Sequence, residues 1–310
     1  MTSLTDVMTA DLARPPPTGL APLLAALQSR YGEALQAIVL YGSCRRDKEI
    51  HDGLVDLLVL VSSYRAVHGA PPARIFNWLL PPNVYFLQVR NGQRPLRCKY
   101  AVVTLDQFAS RCESFGDHYF WARFSQPARL LFAKDNAASG PRIAAARAAA
   151  ARQYASRIAP ILPSPLSCED FWELALSTTY RCELRPESPD NARRLIAADP
   201  EYWQSLTRAL AGEGLLEPAG QDHFAQPASS SFGKRRFRLE WQLRRVTGKL
   251  FNLARLFKAA GTFSNGIDYI TWKVERHSGV RVEPTERMRR HPRLAAWGLA
   301  WRLWRQGGFR

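Results

Sequence analysis

"LYGSCRRDKEIHDGLVDLLVLV" fills residues 40–61 and decides how the rest of the chain is read. An apolar run, QAIVLY, ends in the pair Gly42-Ser43. A polar excursion follows, and a second run, LVDLLVLV, carries one acid, Asp56. A strand that is apolar at nearly every position is buried on both faces, which places these runs in the middle of a sheet covered by helices. Gly42 lets the chain turn sharply and approach a ligand closely at the strand end, and Ser43 offers a hydroxyl beside it.

Working outward, LAPLLAALQSRYGEAL (20–35) has helical spacing before the first strand. NVYFLQV (83–89) and LRCKYAVV (96–103) flank an RNGQR turn and read as a strand pair. ARIFNWLL reads as a helix, and TLDQFASRCES opens another with Thr104 as its cap. The expected fold class is α/β (α+β), a mixed sheet with flanking helices over residues 18–139. A loose leader, 1–17, ends in three prolines ahead of it. After a Gly140-Pro141 break an Ala-rich helix opens a helical domain over 140–225, and QPASSSFG (226–233) reads as a linker into a basic helical region, 226–310. There Leu239, Leu243, Val246, Leu250, Leu253 and Phe257 recur at helical spacing between basic residues, a stripe read as a core-packing face. The final RLAAWGLAWRLWR puts Leu294, Trp297, Trp301 and Trp304 on one helical face.

The 310 residues are enough for two compact domains or one large one. The 43 Lys and Arg against 27 Asp and Glu leave a net charge of +16. Nineteen of those bases and only five of the acids fall between Lys234 and Arg310, so the rest of the chain is close to neutral. Such an excess calls for a polyanionic partner, either nucleic acid or an anionic membrane surface. Five cysteines without CxxC spacing read as reduced thiols and argue against a zinc site. No apolar run is long enough to cross a bilayer, and the N-terminus has neither a signal-peptide core nor an Arg-rich presequence. The expected location is therefore cytoplasmic.

A Gly-Ser turn beside an acid-bearing strand has the outline of a nucleotidyltransferase motif. Nucleotidyl transfer needs N–H groups and a hydroxyl to hold a triphosphate, carboxylates to hold bridging metal ions, and an in-line nucleophile. Gly42 and Ser43 offer the first of these, and Asp56 the second. The usual motif has a second acid two residues away on the same face, and Leu54 stands there instead. Asp52 has the right parity, but four residues of strand span about 13 Å, so only a bend at Gly53 brings it to the same ion. The same residues also read as a plain turn and a strand-end acid. A working site needs a further carboxylate from elsewhere.

Six segments in register resemble the Tam41-type phosphatidate cytidylyltransferases (CDP-diacylglycerol synthases), and the chain looks like a bacterial relative of them. They are LYGS, LVDLLVLV, NVYFLQV, CKYAVVTLDQF, YFWARFSQPARLL and LSTTYRCELR, spanning residues 40–185, with weaker similarity at FSNGIDYITWKV. In that family one Asp stands on the second strand, so Leu54 is no departure. The resemblance implies a nucleotidyltransferase fold with a winged-helix-like second domain. It implies a Mg2+-dependent reaction in which CTP and phosphatidic acid give CDP-diacylglycerol and pyrophosphate. It further implies that Gly42, Ser43, Arg123, Arg185 and Lys273 contact CTP, that Lys99 neutralises phosphate charge, and that Asp56 and Glu183 are the catalytic, metal-binding carboxylates. Glu183 stands where the family has Asp, and Cys182 where it has Gly; Glu183 also reads as a local ion-pair partner of Arg181 or Arg185. The nucleophile is already a phosphate anion, so no general base is expected.

A lipid substrate requires access to a membrane. The terminal Trp/Arg helix is the expected contact with anionic lipid on the inner face, its rings at headgroup level. RNA-binding platforms set aromatics on a sheet or groove, so this spacing speaks against nucleic acid. Two other readings stay open: a nucleotidyltransferase acting on RNA or a small molecule, and a non-catalytic relative that binds lipid or nucleic acid.

Overall fold

The computed structural model describes the chain except for residues 1, 46–49, 52, 70, 93, 115–116, 184–189, 221, 228–230, 263–284 and 287–310. Helices α1 (Leu4–Ala13) and α2 (Ala21–Tyr31) precede strands β1 (Leu35–Tyr41) and β2 (Val55–Val61). Helices α3 (Tyr64–Val67) and α4 (Pro71–Leu79) lead to a hairpin of β3 (Asn83–Asn91) and β4 (Arg94–Thr104). Then come α5 (Leu105–Glu113), α6 (His118–Phe124), β5 (Arg129–Ala133) and α7 (Asn136–Ile158). The remainder runs β6 (Leu166–Ser167), α8 (Cys168–Tyr180), α9 (Asp190–Ala197), α10 (Pro200–Gly212), β7 (Glu217–Pro218), β8 (His223–Ala225) and α11 (Ser231–Thr262).

Five strands form a mixed sheet in the order β3-β4-β2-β1-β5, in which β2 and β4 are parallel and the other neighbours antiparallel. Side chains alternate across a strand, so each central strand feeds two cores. Val39, Tyr41, Leu58, Leu60 and Val103 join a cluster with α1, α5, α6 and α7 that continues to Trp172 of α8 and Trp203 of α10. Ile38, Leu40, Leu57, Val59 and Val102 face Leu23 and Leu27 of α2. This two-sided burial is the reason the strands read as unbroken apolar runs. The hairpin and the Thr104 cap stand where the sequence puts them, the Thr104 side chain accepting from the Gln107 N–H. A second, small sheet has the order β6-β8-β7. All five cysteines are buried thiols outside any disulfide.

Three expectations are corrected. The leader is not loose: residues 4–13 form α1, started by a capping box. The Ser3 Oγ accepts from the Asp6 N–H at 3.1 Å and the Asp6 carboxylate accepts from the Ser3 N–H at 3.0 Å. Leu4, Met8 and Leu12 are buried, and so is Asp11, which lies 2.6 Å from Arg129 and 2.8 Å from Arg147. Helix α7 starts before the Gly-Pro pair, because the Asp135 side chain caps it by accepting from the Ala138 N–H.

The third correction concerns α11, which begins inside the expected linker and turns its apolar stripe outward. Leu239, Leu243, Val246 and Leu250 are 58%, 59%, 62% and 61% exposed, while Trp241 and Arg244 are buried. The polar face wins because its partners are specific. The Arg244 guanidinium lies 4.8 Å over the Trp121 ring and 2.7 Å from Glu240, and the Trp241 indole donates to the Arg157 carbonyl at 2.9 Å. Gly248 permits the close approach, since a Cβ there would sit 2.6 Å from the Cys182 carbonyl oxygen. The side chains of Leu253 and Phe257, and the terminal Trp/Arg segment, lie outside the described residues.

Candidate active site

Strand β1 ends at Tyr41, and Gly42 then turns the chain with a φ of +82°, a conformation natural to glycine. Register sets what this turn meets: Asp56 is the partner of Tyr41 across β1 and β2, and of Lys99 across β2 and β4. A Cβ at position 42 would lie 2.7 Å from the Asp56 Oδ2, so the turn is packed directly against the carboxylate. On the other side the Lys99 Nζ stands 3.1 Å from the Asp56 Oδ1, with both side chains partly exposed. That oxygen is itself buried and has no aligned hydrogen-bond donor among the described residues, so its contact with Lys99 is a charge pair rather than a directed hydrogen bond.

The turn is pinned from behind. The Arg45 Nε donates to the Gly42 carbonyl at 3.0 Å, and its Nη1 lies 2.7 Å from the carboxylate of Asp199, the residue that precedes α10. Ser43 opens a single 3-10 turn and is exposed.

Arg123 comes from α6. Its guanidinium lies 4.8 Å over the Tyr119 ring, one helical turn earlier, and 5.4 Å over the Tyr41 ring. Among the described residues its Nε is buried without an acceptor. Burial opposes the Arg123 charge, but Tyr119, Tyr41, Glu183 and Asp56 outweigh it and hold the group protonated above the ordinary arginine value. Asp56 and Glu183 thus act on one guanidinium. Glu183 is buried in the turn that closes α8, where its N–H donates to the Tyr180 carbonyl at 3.0 Å.

Helix α11 closes the neighbourhood. The Arg255 guanidinium lies 4.6 Å over Tyr119, donates to the Pro81 carbonyl at 3.0 Å, and stands 3.5 Å from Asp117. His118 is pushed down to about 4 by burial and by the charges of Arg244 and Arg255, so it is neutral at pH 7.

Of the residues singled out from sequence, Gly42, Ser43, Asp56 and Lys99 gather at the ends of β1 and β2. Arg123 and Glu183 join them electrostatically. Asp52, Arg185 and Lys273 lie outside the described residues. Sequence reasoning passed over Tyr41, Arg45, Tyr119 and Arg255. The four-residue step from Tyr119 to Arg123 was a visible signal for one of them; nothing local marks Arg255.

Among the described residues no group of three or more His, Cys, Asp or Glu side chains could hold a metal ion. Mg2+ does not need one, since it is commonly held by one or two carboxylates together with substrate phosphates. Asp56, with a buried oxygen lacking an aligned donor, fits that mode. No protein-family model matches the chain, and no curated protein does.

Proposed function

We propose that this chain is a nucleotidyltransferase that makes CDP-diacylglycerol and pyrophosphate from CTP and phosphatidic acid at a membrane surface. One observation carries the reading: the Gly42 turn is packed against Asp56, with Lys99 in register beside that acid and Arg123 within its field. A triphosphate at this turn would meet the Ser43 hydroxyl and two fixed cations, Lys99 and Arg123. Asp56 would hold Mg2+, with Glu183 as the second carboxylate. A bound Mg2+ supplies neutralisation of phosphate charge and of the leaving pyrophosphate.

In the transfer a phosphatidate oxygen forms a bond to the α-phosphorus of CTP while the bond to the bridging oxygen breaks, and pyrophosphate leaves. The nucleophile enters as an anion, so no side chain has to take a proton. The duty of Lys99 and Arg123 is to reduce repulsion between two anions and to orient them.

Supporting the finer architecture, the mixed sheet is covered by helices on both faces, as a nucleotidyltransferase fold would need. The small β6-β8-β7 sheet around α8–α10 suits a winged-helix-like second domain. Among the described residues no helix is long and apolar enough to cross a membrane. We place the protein at the periphery of the cytoplasmic membrane face. The test is transfer of label from CTP to phosphatidic acid with Mg2+. Incorporation by the wild type and none by Asp56→Ala are expected, and full activity of that variant would sink the site.

A further inference from the structure

We propose that the outward face of α11 is a docking surface for an anionic lipid bilayer. Leu239, Leu243, Val246 and Leu250 follow one another at steps of four, three and four, and form one exposed stripe. Arg235, Arg238, Arg245 and Lys249 are exposed along its flank. The helix carries nine Lys and Arg and a single acid, Glu240, and that acid pairs inward with Arg157 and Arg244. An apolar stripe with basic side chains at its edge, and no free acid, is the design of a helix lying in a membrane interface.

The inner face keeps this stripe on display. Trp241 is committed to the Arg157 carbonyl, Arg244 to the Trp121 ring and Arg255 to the Tyr119 ring, and Gly248 packs against Cys182 and His118. Rolling the helix to bury its leucines would break all of these contacts.

A second apolar patch adjoins α11. In α4 the side chains of Ile75, Phe76, Trp78 and Leu79 are more than half exposed, while Asn77 is buried and accepts from the Asn83 N–H at 2.7 Å. The end of α4 is tied to α11 through Arg111, which donates to the Leu79 carbonyl at 3.5 Å, and through Asp117, which stands 3.5 Å from both Arg111 and Arg255. Trp78 suits headgroup depth.

Charge selects the occupant. The 48 residues after Thr262 hold ten Lys and Arg against four Asp and Glu, and a second copy of α11 would bring the same basic face. Both repel α11, whereas an anionic bilayer complements its stripe and its charge together. The proposal deepens the lipid-directed reading of the site and rests on it for the lipid that is finally consumed. Docking would bring phosphatidate to a site whose Tyr119 contacts Arg255 and Arg123 alike.

The test is flotation of the full chain with phosphatidylcholine vesicles, with and without phosphatidylglycerol, which is not the proposed substrate. The wild type should float only with the anionic vesicles. Leu243→Glu/Leu250→Glu should weaken that binding about a hundredfold. Arg245→Gln/Lys249→Gln should weaken it about 25-fold. All four positions are exposed, so the melting temperature of each variant should match the wild type. Flotation of the leucine variant at wild-type strength overturns the proposal. So does a dimer that this variant dissociates, or RNA retention without vesicle binding. Transfer to phosphatidic acid in detergent micelles is measured in parallel. Vesicle binding without transfer leaves the docking face standing and removes the enzymatic reading; transfer without vesicle binding does the reverse.

Discussion

Replacing Gly42 with alanine tests the contact on which the site is built. The residue has a φ of +82°, where an L side chain costs about 1–2 kcal/mol. The new methyl would also lie 2.7 Å from the Asp56 Oδ2 and 3.2 Å from its Cβ. The oxygen can swing away, at about 0.5–1.5 kcal/mol for leaving its rotamer. The Cβ cannot, because β2 is held between β1 and β4. Swinging the carboxylate also opens the 3.1 Å contact with Lys99. We expect a total loss of about 2–3 kcal/mol, together with loss of transfer activity. Urea unfolding of the wild type, Gly42→Ala, Asp56→Ala and the double variant separates the two parts. Without the carboxylate the backbone cost and the contact with the Cβ of residue 56 should remain, leaving a coupling of about 1 kcal/mol for the carboxylate alone. Equal cost in both backgrounds, or a total below about 0.5 kcal/mol, refutes the reasoning.

Gly248→Ala should lower the melting temperature and expose Trp241 to water, although Ala favours a free helix by about 1 kcal/mol. The Cys182 carbonyl at 2.6 Å cannot give way, and a raised melting temperature would contradict the packing of α11. His118 titrates at about 4 when folded against 6.5 when free, so the unfolded chain binds the extra proton between those values. Its contribution is complete above pH 6.5 and falls by about 3 kcal/mol as the pH drops to 4. Urea titrations across that range should show a shallower slope for His118→Phe than for the wild type. Asp11→Asn leaves Arg129 and Arg147 without their shared carboxylate and should cost about 3–5 kcal/mol by urea unfolding, with faster proteolysis after α1.

The parts legible in the sequence are those whose cause is local. Unbroken apolar strands announce a sheet buried on both sides, and Thr104 caps the helix that follows it. Gly42 and Asp56 belong to one motif, on either side of one polar excursion. Helix α1 was legible too, through Ser3 and Asp6, but the three prolines and a buried Asp11 disguised it. That acid is satisfied by Arg129 and Arg147, more than a hundred residues away. The face of α11 was not legible, because a leucine stripe ordinarily packs inward. Partners distant in sequence, the Trp121 ring, Arg157 and Tyr119, together with the close approach at Gly248, make the polar side the better fit. The pairing of Asp56 with Lys99 depends on the parallel alignment of β2 and β4, which residue spacing does not contain. Arg123 and Glu183 were reached through a resemblance rather than through any pattern of their own.

The central claim is that Asp56, seated between Gly42 and Lys99, serves transfer of a nucleotide to a lipid phosphate. The measurement that bears on it most directly is incorporation of α-labelled CTP into a chloroform-soluble product from phosphatidic acid and Mg2+. Wild type, Asp56→Ala and Lys99→Ala are compared after urea melts show that each is folded. The account predicts labelled CDP-diacylglycerol from the wild type and none from either variant. Undiminished labelling by Asp56→Ala, or no transfer by the wild type from any nucleoside triphosphate, would contradict it.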